Sequence, residues 1–404
     1  MNVKLRISMI PAIRKKYNEL FREETYQAFL QDMNKEFDYD IEFRISETPV
    51  FIDKNFKQQL IEGGNDIVDV ILQKDFKQLT EKAVPQNCFV PNESDHTHLL
   101  AVDFAICEDG KGGFIPQLIE MQGFASLYCY QEWLALKYKK FFYVPDGFDN
   151  KFNGYNHEQY IERLGNVIKG NHKNENVVLL EVDPWKQKTQ IDFYVTQKYL
   201  GIPVVNLTDI IRDGKNLFYE KEGNKIPIYR IYNRVIFDEL LQRKDLQLQF
   251  NLTEDVNVEW VAHPNWFFRI SKYTMPFLKS KYVPETYFLK DLKTIPTDLE
   301  NWVLKPLFSF SGQGVLFDVT KEDVEKVDDP ANYILQRKVA YAGAVQSPTG
   351  PVKCEIRLLY LWNDGEAKPE LIMNLGRMSK GKMIGVRYNK DLDWVGATTY
   401  FLEV

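Results

Sequence analysis

Between residues 174 and 206 the chain reads "ENVVLLEVDP", then "QKTQIDFYVTQKYLG", then "IPVVNL". An apolar β-branched run, a helical stretch stopped by Gly201 and a second apolar run make the pattern of a β–α–β unit. Two parallel strands cannot be joined by a tight turn, so the connection has to cross the sheet as a helix. This commits the middle of the chain to a layered α/β domain with a parallel sheet. The rhythm differs on either side of it. Boundaries are therefore expected near 160 and 260, dividing the 404 residues into 1–160, 161–260 and 261–404.

The flanking thirds read differently. Residues 12–37 carry apolar positions at helical spacing and predict one long amphipathic helix, and 45–53 predict a strand. "FKQQLIEGGNDIVDVILQKDFKQLTEKAV" predicts two helices broken at "GGN". "HLLAVDFAICE" and "PQLIEMQGF", joined by "DGKGG", predict a hairpin. After residue 260 a helix over "ISKYTMPFLKS" precedes a mostly stranded segment. The net charge of −6 argues against a nucleic-acid partner held by a broad basic surface. No apolar run approaches the roughly 20 residues that cross a bilayer, so no membrane partner is expected. The amino terminus lacks the apolar core of a secretory signal. The four cysteines form no CxxC pair, which suits a reducing compartment, and the expected location is cytoplasmic.

Three constellations carry chemistry. In "VLKPLFSFSGQGVLFD" an apolar strand delivers Lys305 to a bend with Ser309, Ser311, Gly312 and Gly314. Glycines let backbone N–H groups approach an anion, and the ammonium adds a compact positive charge. The lysine precedes the glycines, so this is not a strand–GxxxxGK[ST]–helix loop, and an ordinary hairpin turn is the competing reading. In the predicted hairpin, Asp103 lies on one strand, while Glu120 and Gln122 share a face of the other. Two carboxylates and an amide oxygen suit a magnesium ion whose other positions go to water and phosphate. Downstream, Glu355 and Arg357 share a strand face, and Asn374, Arg377, Arg387 and Asn389 follow. "IYRIYNRV" alternates so that Arg230 and Arg234 share a face, where they suit either a substrate carboxylate or structural ion pairs.

Taken together these segments resemble the ATP-grasp superfamily, with two glutathione-synthetase-like lobes closing on ATP. "RISKYTMPFLKSKYVPETYFL" is similar to the first ATP-lobe segment and points to Lys272; "WVLKPLFSFSGQGV" is similar to the lysine strand and phosphate loop. "YILQRKV" resembles the adenine-contacting hinge, with Gln336 and Lys338, and "CEIRLLYLW" the strand whose acid, here Glu355, contacts ribose. "GVRYN" resembles the element near the transferred phosphate, with Arg387 and Asn389. The metal-binding strands, which the family places last, stand here near the amino terminus, as in circularly permuted, glutathionylspermidine-synthetase-like members. Gln122 stands where the family usually has asparagine.

The resemblance implies an α/β fold of α+β lobes, a circularly permuted ATP-grasp module with an inserted β–α–β pre-ATP domain. Residues 1–160 would then hold a helical segment plus the permuted metal-binding part, and 261–404 the ATP-binding lobe with the central grasp strands. It implies an ATP-dependent carboxylate–amine (or carboxylate–thiol) ligase that forms an acylphosphate, with a small-molecule carboxylate and an amine as substrates. Asp103, Glu120 and Gln122 would hold one or two magnesium ions. Lys272, Lys305, Ser309, Ser311, Gly312, Gly314, Gln336, Lys338, Glu355, Arg357 and Asn389 would hold ATP. Arg377 and Arg387 would stabilise charge on the migrating phosphoryl group. An ATP-binding protein without ligase activity and a small-molecule kinase are the alternatives on the same fold.

Overall fold

The computed structural model describes residues 9–308, 314–381, 389 and 391–404. Ser309, Ser311, Gly312 and Arg387 lie outside the described residues. The strands that position the site are, in chain order, β1 (Leu99–Glu108), β2 (Phe114–Gln122), β3 (Val177–Glu181), β4 (Val204–Asn206), β5 (Arg230–Asn233) and β6 (Glu259–Val261). They continue as β7 (Thr286–Phe288), β8 (Trp302–Pro306), β9 (Tyr333–Arg337), β10 (Gly350–Leu361), β11 (Glu370–Ser379) and β12 (Gly396–Thr398).

The largest sheet runs β12-β11-β10-β1-β2 and is antiparallel throughout. It joins strands from the first third of the chain to strands from its end. The predicted hairpin is present as β1 and β2, and β10 lies along the other edge of β1. The β–α–β reading holds as well. β3, β4, β5 and β6 form a parallel sheet ordered β6-β5-β3-β4, and the crossover from β3 to β4 is the helix Gln190–Leu200. A third sheet, β7-β9-β8, is small and antiparallel. It has its own core around Leu289, Trp302, Leu304, Val319 and Leu335.

Several expectations change. The single helix over 12–37 is two, α1 (Pro11–Leu20) and α2 (Glu23–Phe37). Phe21 adopts an extended backbone, and its ring meets Trp394 at 4.6 Å and stacks on Phe142 at 6.3 Å. Tertiary packing of one aromatic outweighs local helical periodicity. The "GGN" break is absent, because α3 (Lys54–Ile71) passes through both glycines. A Cβ on Gly63 would stand 3.1 Å from the Phe104 ring, and one on Gly64 would strike the Tyr360 hydroxyl. These glycines let the helix lie close on the sheet; they do not end it. The helix predicted over "ISKYTMPFLKS" is a short 3₁₀ segment, Lys272–Phe277, with Pro276 inside it removing a backbone donor.

Candidate functional site

β1 is buried along nearly its whole length, and Asp103 is its one charged residue before Glu108. A carboxylate in that setting needs partners. The register supplies one, setting Asp103 opposite Arg357 of β10 on one side, while the like-charged Glu120 of β2 stands on the other. Arg357 grips Asp103 with two donors, Nε to Oδ1 at 2.6 Å and Nη2 to Oδ2 at 2.7 Å. Arg377 of β11 adds Nη2 to Oδ2 at 2.7 Å and reaches Glu355 at 2.9 Å. The Tyr341 hydroxyl donates to the other oxygen of Glu355. At the near end Arg357 lies 3.7 Å from Glu120, whose Oε1 also accepts from Gln122 Nε2 at 3.1 Å. The result is a cluster in which three carboxylates, Glu120, Asp103 and Glu355, share two guanidinium groups, Arg357 and Arg377, across four strands.

Burial pushes the Asp103 carboxyl up, but Arg357 and Arg377 outweigh it and hold it below its ordinary range. Burial raises Glu355, and Arg377 only partly opposes the rise. Burial also acts against the guanidinium of Arg377, yet Glu355 and Asp103 lift its affinity for protons further.

The two lysines come from later in the chain, Lys272 at the start of the 3₁₀ segment and Lys305 on β8. β2 has a bulge at Ile119: Asp103 pairs with Glu120 and Phe104 with Leu118, leaving Ile119 unmatched. Lys305, on β8, donates its Nζ to the Ile119 carbonyl at 3.3 Å and to Gln336 Oε1 at 2.6 Å. Both acceptors are neutral, and among the described residues no carboxylate lies within ion-pair distance of this ammonium. Burial lowers its pKa to about 8, aided by Lys272 and opposed by Glu120 and Glu355. Lys272 is likewise lowered by burial, with Glu120 and Asp238 pulling the other way. Segments 186 residues apart thus converge where Lys305 meets the Ile119 carbonyl, and Glu120 is near enough to act electrostatically on both Lys305 and Lys272.

Other expected residues are placed as follows. Gly314 has φ +71°, a left-handed backbone that suits glycine, and faces Pro306. Gln336 does not present a free hinge amide, since its Oε1 serves Lys305 and its Nε2 donates to Thr286 at 3.3 Å. Lys338 gives its backbone N–H to Asn301 and its Nζ to Glu300 O at 2.7 Å. Asn389 accepts from Ser379 at 2.8 Å. Arg230 caps the helix His157–Lys169 through the carbonyls of Ile168 at 3.1 Å and Val167 at 3.0 Å and pairs with Glu259. Arg234 lies just past the end of β5 and pairs with buried Asp192 at 2.7 Å. Both arginines therefore do structural work first.

The magnesium set fits poorly as the sequence suggested it. Both oxygens of Asp103 are taken by guanidinium groups, and opening a buried pair of this kind costs about 3–5 kcal/mol. The amide of Gln122 turns its donor toward Glu120; the reverse orientation would set two acceptors against each other. Among the described residues no group of three or more His, Cys, Asp or Glu has the spacing of a metal centre. The phosphates of a nucleotide fit better, because a half-buried ammonium with only neutral partners is what an anion would satisfy.

One residue escaped the sequence reading. Glu181 ends β3, at the carboxyl edge of the parallel sheet, where open α/β folds take their ligands. It is 7% exposed, accepts from the Val182 N–H at 2.8 Å, and burial raises its pKa to about 8 against the pull of Arg234. Asp238 and Glu239, after β5, are raised by burial as well. A glutamate closing the buried run "VVLLE" is the signal that could have found it.

The chain matches no protein-family model and no curated protein sequence. Its fold is similar to that of a glutathione synthetase like-effector from Globodera pallida, solved in its apo form. The TM-score is 0.58 at 10% identity, over 98% of this chain and 100% of that one. This likeness shows the fold alone, mixed α/β with several sheets. Among the described residues no helix is long and apolar enough to cross a membrane.

Proposed function

We propose that this chain binds ATP between the β1–β2 hairpin and the β7-β9-β8 sheet, on a circularly permuted ATP-grasp module, and acts as an ATP-dependent carboxylate–amine (or carboxylate–thiol) ligase. The observation that carries the reading is the docking of Lys305 on the Ile119 bulge beside Glu120. The sharing of one sheet by residues 99–122 and 350–398 supports the permuted order, and the glutathione-synthetase-like fold supports the reaction class.

In this reading Lys272 and Lys305 grip the phosphates, and the glycine-rich loop around Gly314 covers them and excludes water. Arg377, with Arg387, steadies charge on the transferred phosphoryl group, which needs positioning and neutralisation more than covalent help. Glu355 serves the ribose once Tyr341 yields, and the β9 strand near Gln336 and Lys338 backs the adenine. Phosphorylation turns a carboxylate into an acylphosphate that an amine or thiol attacks. Glu181 and Arg234, at the carboxyl edge of the parallel sheet, line the acceptor side. Asp103 acts by holding Arg357 and Arg377 in place.

The closure of Asp103 favours a second reading, an ATP-binding protein without ligase activity. ADP release over a panel of acids and amines separates the two. Release that needs both a carboxylate and a nucleophile, and that Lys305→Met abolishes, is the ligase result. ATP binding with no turnover on any pair removes the ligase and leaves the second reading.

A further inference from the structure

The acidic face of the cleft already has its counter-charge. Asp103 is forked by Arg357 and bound again by Arg377, Glu355 is held by Arg377 and Tyr341, and Glu120 Oε1 faces Gln122 and Arg357. A divalent ion bridging protein to phosphate needs carboxylate lone pairs aimed at the nucleotide. Here Asp103 has given both oxygens to guanidinium donors, Glu355 has given one to Tyr341 while its other lies 2.9 Å from the Arg377 guanidinium, and Glu120 has given one. Asp103 and Glu355 are also 1% and 4% exposed, so their pairs are shielded from water. Opposite them, Lys305 has no carboxylate partner within ion-pair distance among the described residues. The cleft is built to neutralise an anion with its own cations.

We infer that the nucleotide site works without a divalent metal: it takes a free nucleoside triphosphate, or an equivalent polyphosphate, through Lys305 and Lys272, and no protein carboxylate bridges to a bound ion. This rests on the nucleotide reading above and goes beyond it, since the resemblance to ATP-grasp proteins implied one or two magnesium ions. Magnesium carried in by ATP would remain coordinated by phosphate and water, adding little to affinity.

The test is calorimetric titration of ATP into the full chain, once in EDTA and once in excess magnesium chloride. Dissociation constants that agree within about threefold are expected. Binding that is more than about tenfold weaker in EDTA, a loss of 1.4 kcal/mol, overturns the inference and leaves the nucleotide reading standing. An absence of binding in both buffers overturns both. A second measurement needs no nucleotide. Manganese ion titrated into the protein and followed by electron paramagnetic resonance is expected to show only free ion. A bound signal that disappears in Glu120→Gln would mean the carboxylates are open to metal, and the inference would fall.

Discussion

The cleft lysine ties structure to a measurable pH dependence. Lys305 is held at a pKa of about 8 because burial strips water from its ammonium and Lys272 repels it. Phosphate oxygens placed beside it would favour the charged form and lift it back toward its ordinary range. Binding then takes up a proton, so affinity is highest where Lys305 is already charged and falls as pH rises through about 8. At pH 7 roughly nine-tenths of the molecules carry the charge and at pH 9 roughly one-tenth, a difference of about tenfold in dissociation constant, or about 1.4 kcal/mol. Lys272, also lowered by burial, adds in the same direction. Calorimetry with ATP from pH 7 to 9, for the native chain and for Lys305→Met, measures it. The substitution should weaken binding at pH 7 and flatten most of the slope. An affinity that is flat for the native chain, or an unchanged slope in Lys305→Met, would refute the assignment of the proton to this lysine.

Three further outcomes concern the scaffold. Glu181 has a folded pKa raised to about 8, so the folded state holds a proton that the unfolded state has released. Its burial therefore costs stability that grows as pH rises from about 4.5 to 8, by up to about 1.4 kcal/mol per unit. Glu181→Gln should gain on the native chain in melting temperature over that window, and a constant difference would count against it. Asp103→Asn leaves Arg357 and Arg377 without their shared carboxylate and should cost about 3–5 kcal/mol in urea unfolding. Coupling Asp103→Asn with Arg357→Met should be strongly non-additive; simple additivity would deny the pair. Gly64→Ala would gain about 1 kcal/mol in an open helix. Here the methyl group meets the buried Tyr360 hydroxyl, and a net loss of about 1–3 kcal/mol is expected by chemical denaturation.

What the sequence made legible was local. Two strand-like runs joined by "DGKGG" located the hairpin, alternation along "PQLIEMQGF" put Glu120 and Gln122 on one face, and the Gly201 stop located the β–α–β unit. What it hid was long-range. That Arg357 faces Asp103 depends on the pairing of β10 with β1, 254 residues apart, and no local pattern encodes that register. The same gap hid that Asp103, read from the sequence as a magnesium ligand, has both oxygens bound by Arg357 and Arg377. Gly63 and Gly64 looked like a helix break because glycine has two uses, and only the neighbouring sheet shows that close approach is the one employed here. Arg230 looked available because strand alternation cannot show that its guanidinium is caught by the carbonyls of Val167 and Ile168.

The most direct measurement is a crystal structure of the chain grown with a non-hydrolysable ATP analogue. A triphosphate lying against the Nζ atoms of Lys305 and Lys272, beside the Ile119 bulge, is the expected result. A nucleotide bound elsewhere, with Lys305 still on the Ile119 carbonyl and Gln336, would contradict the cleft's assignment.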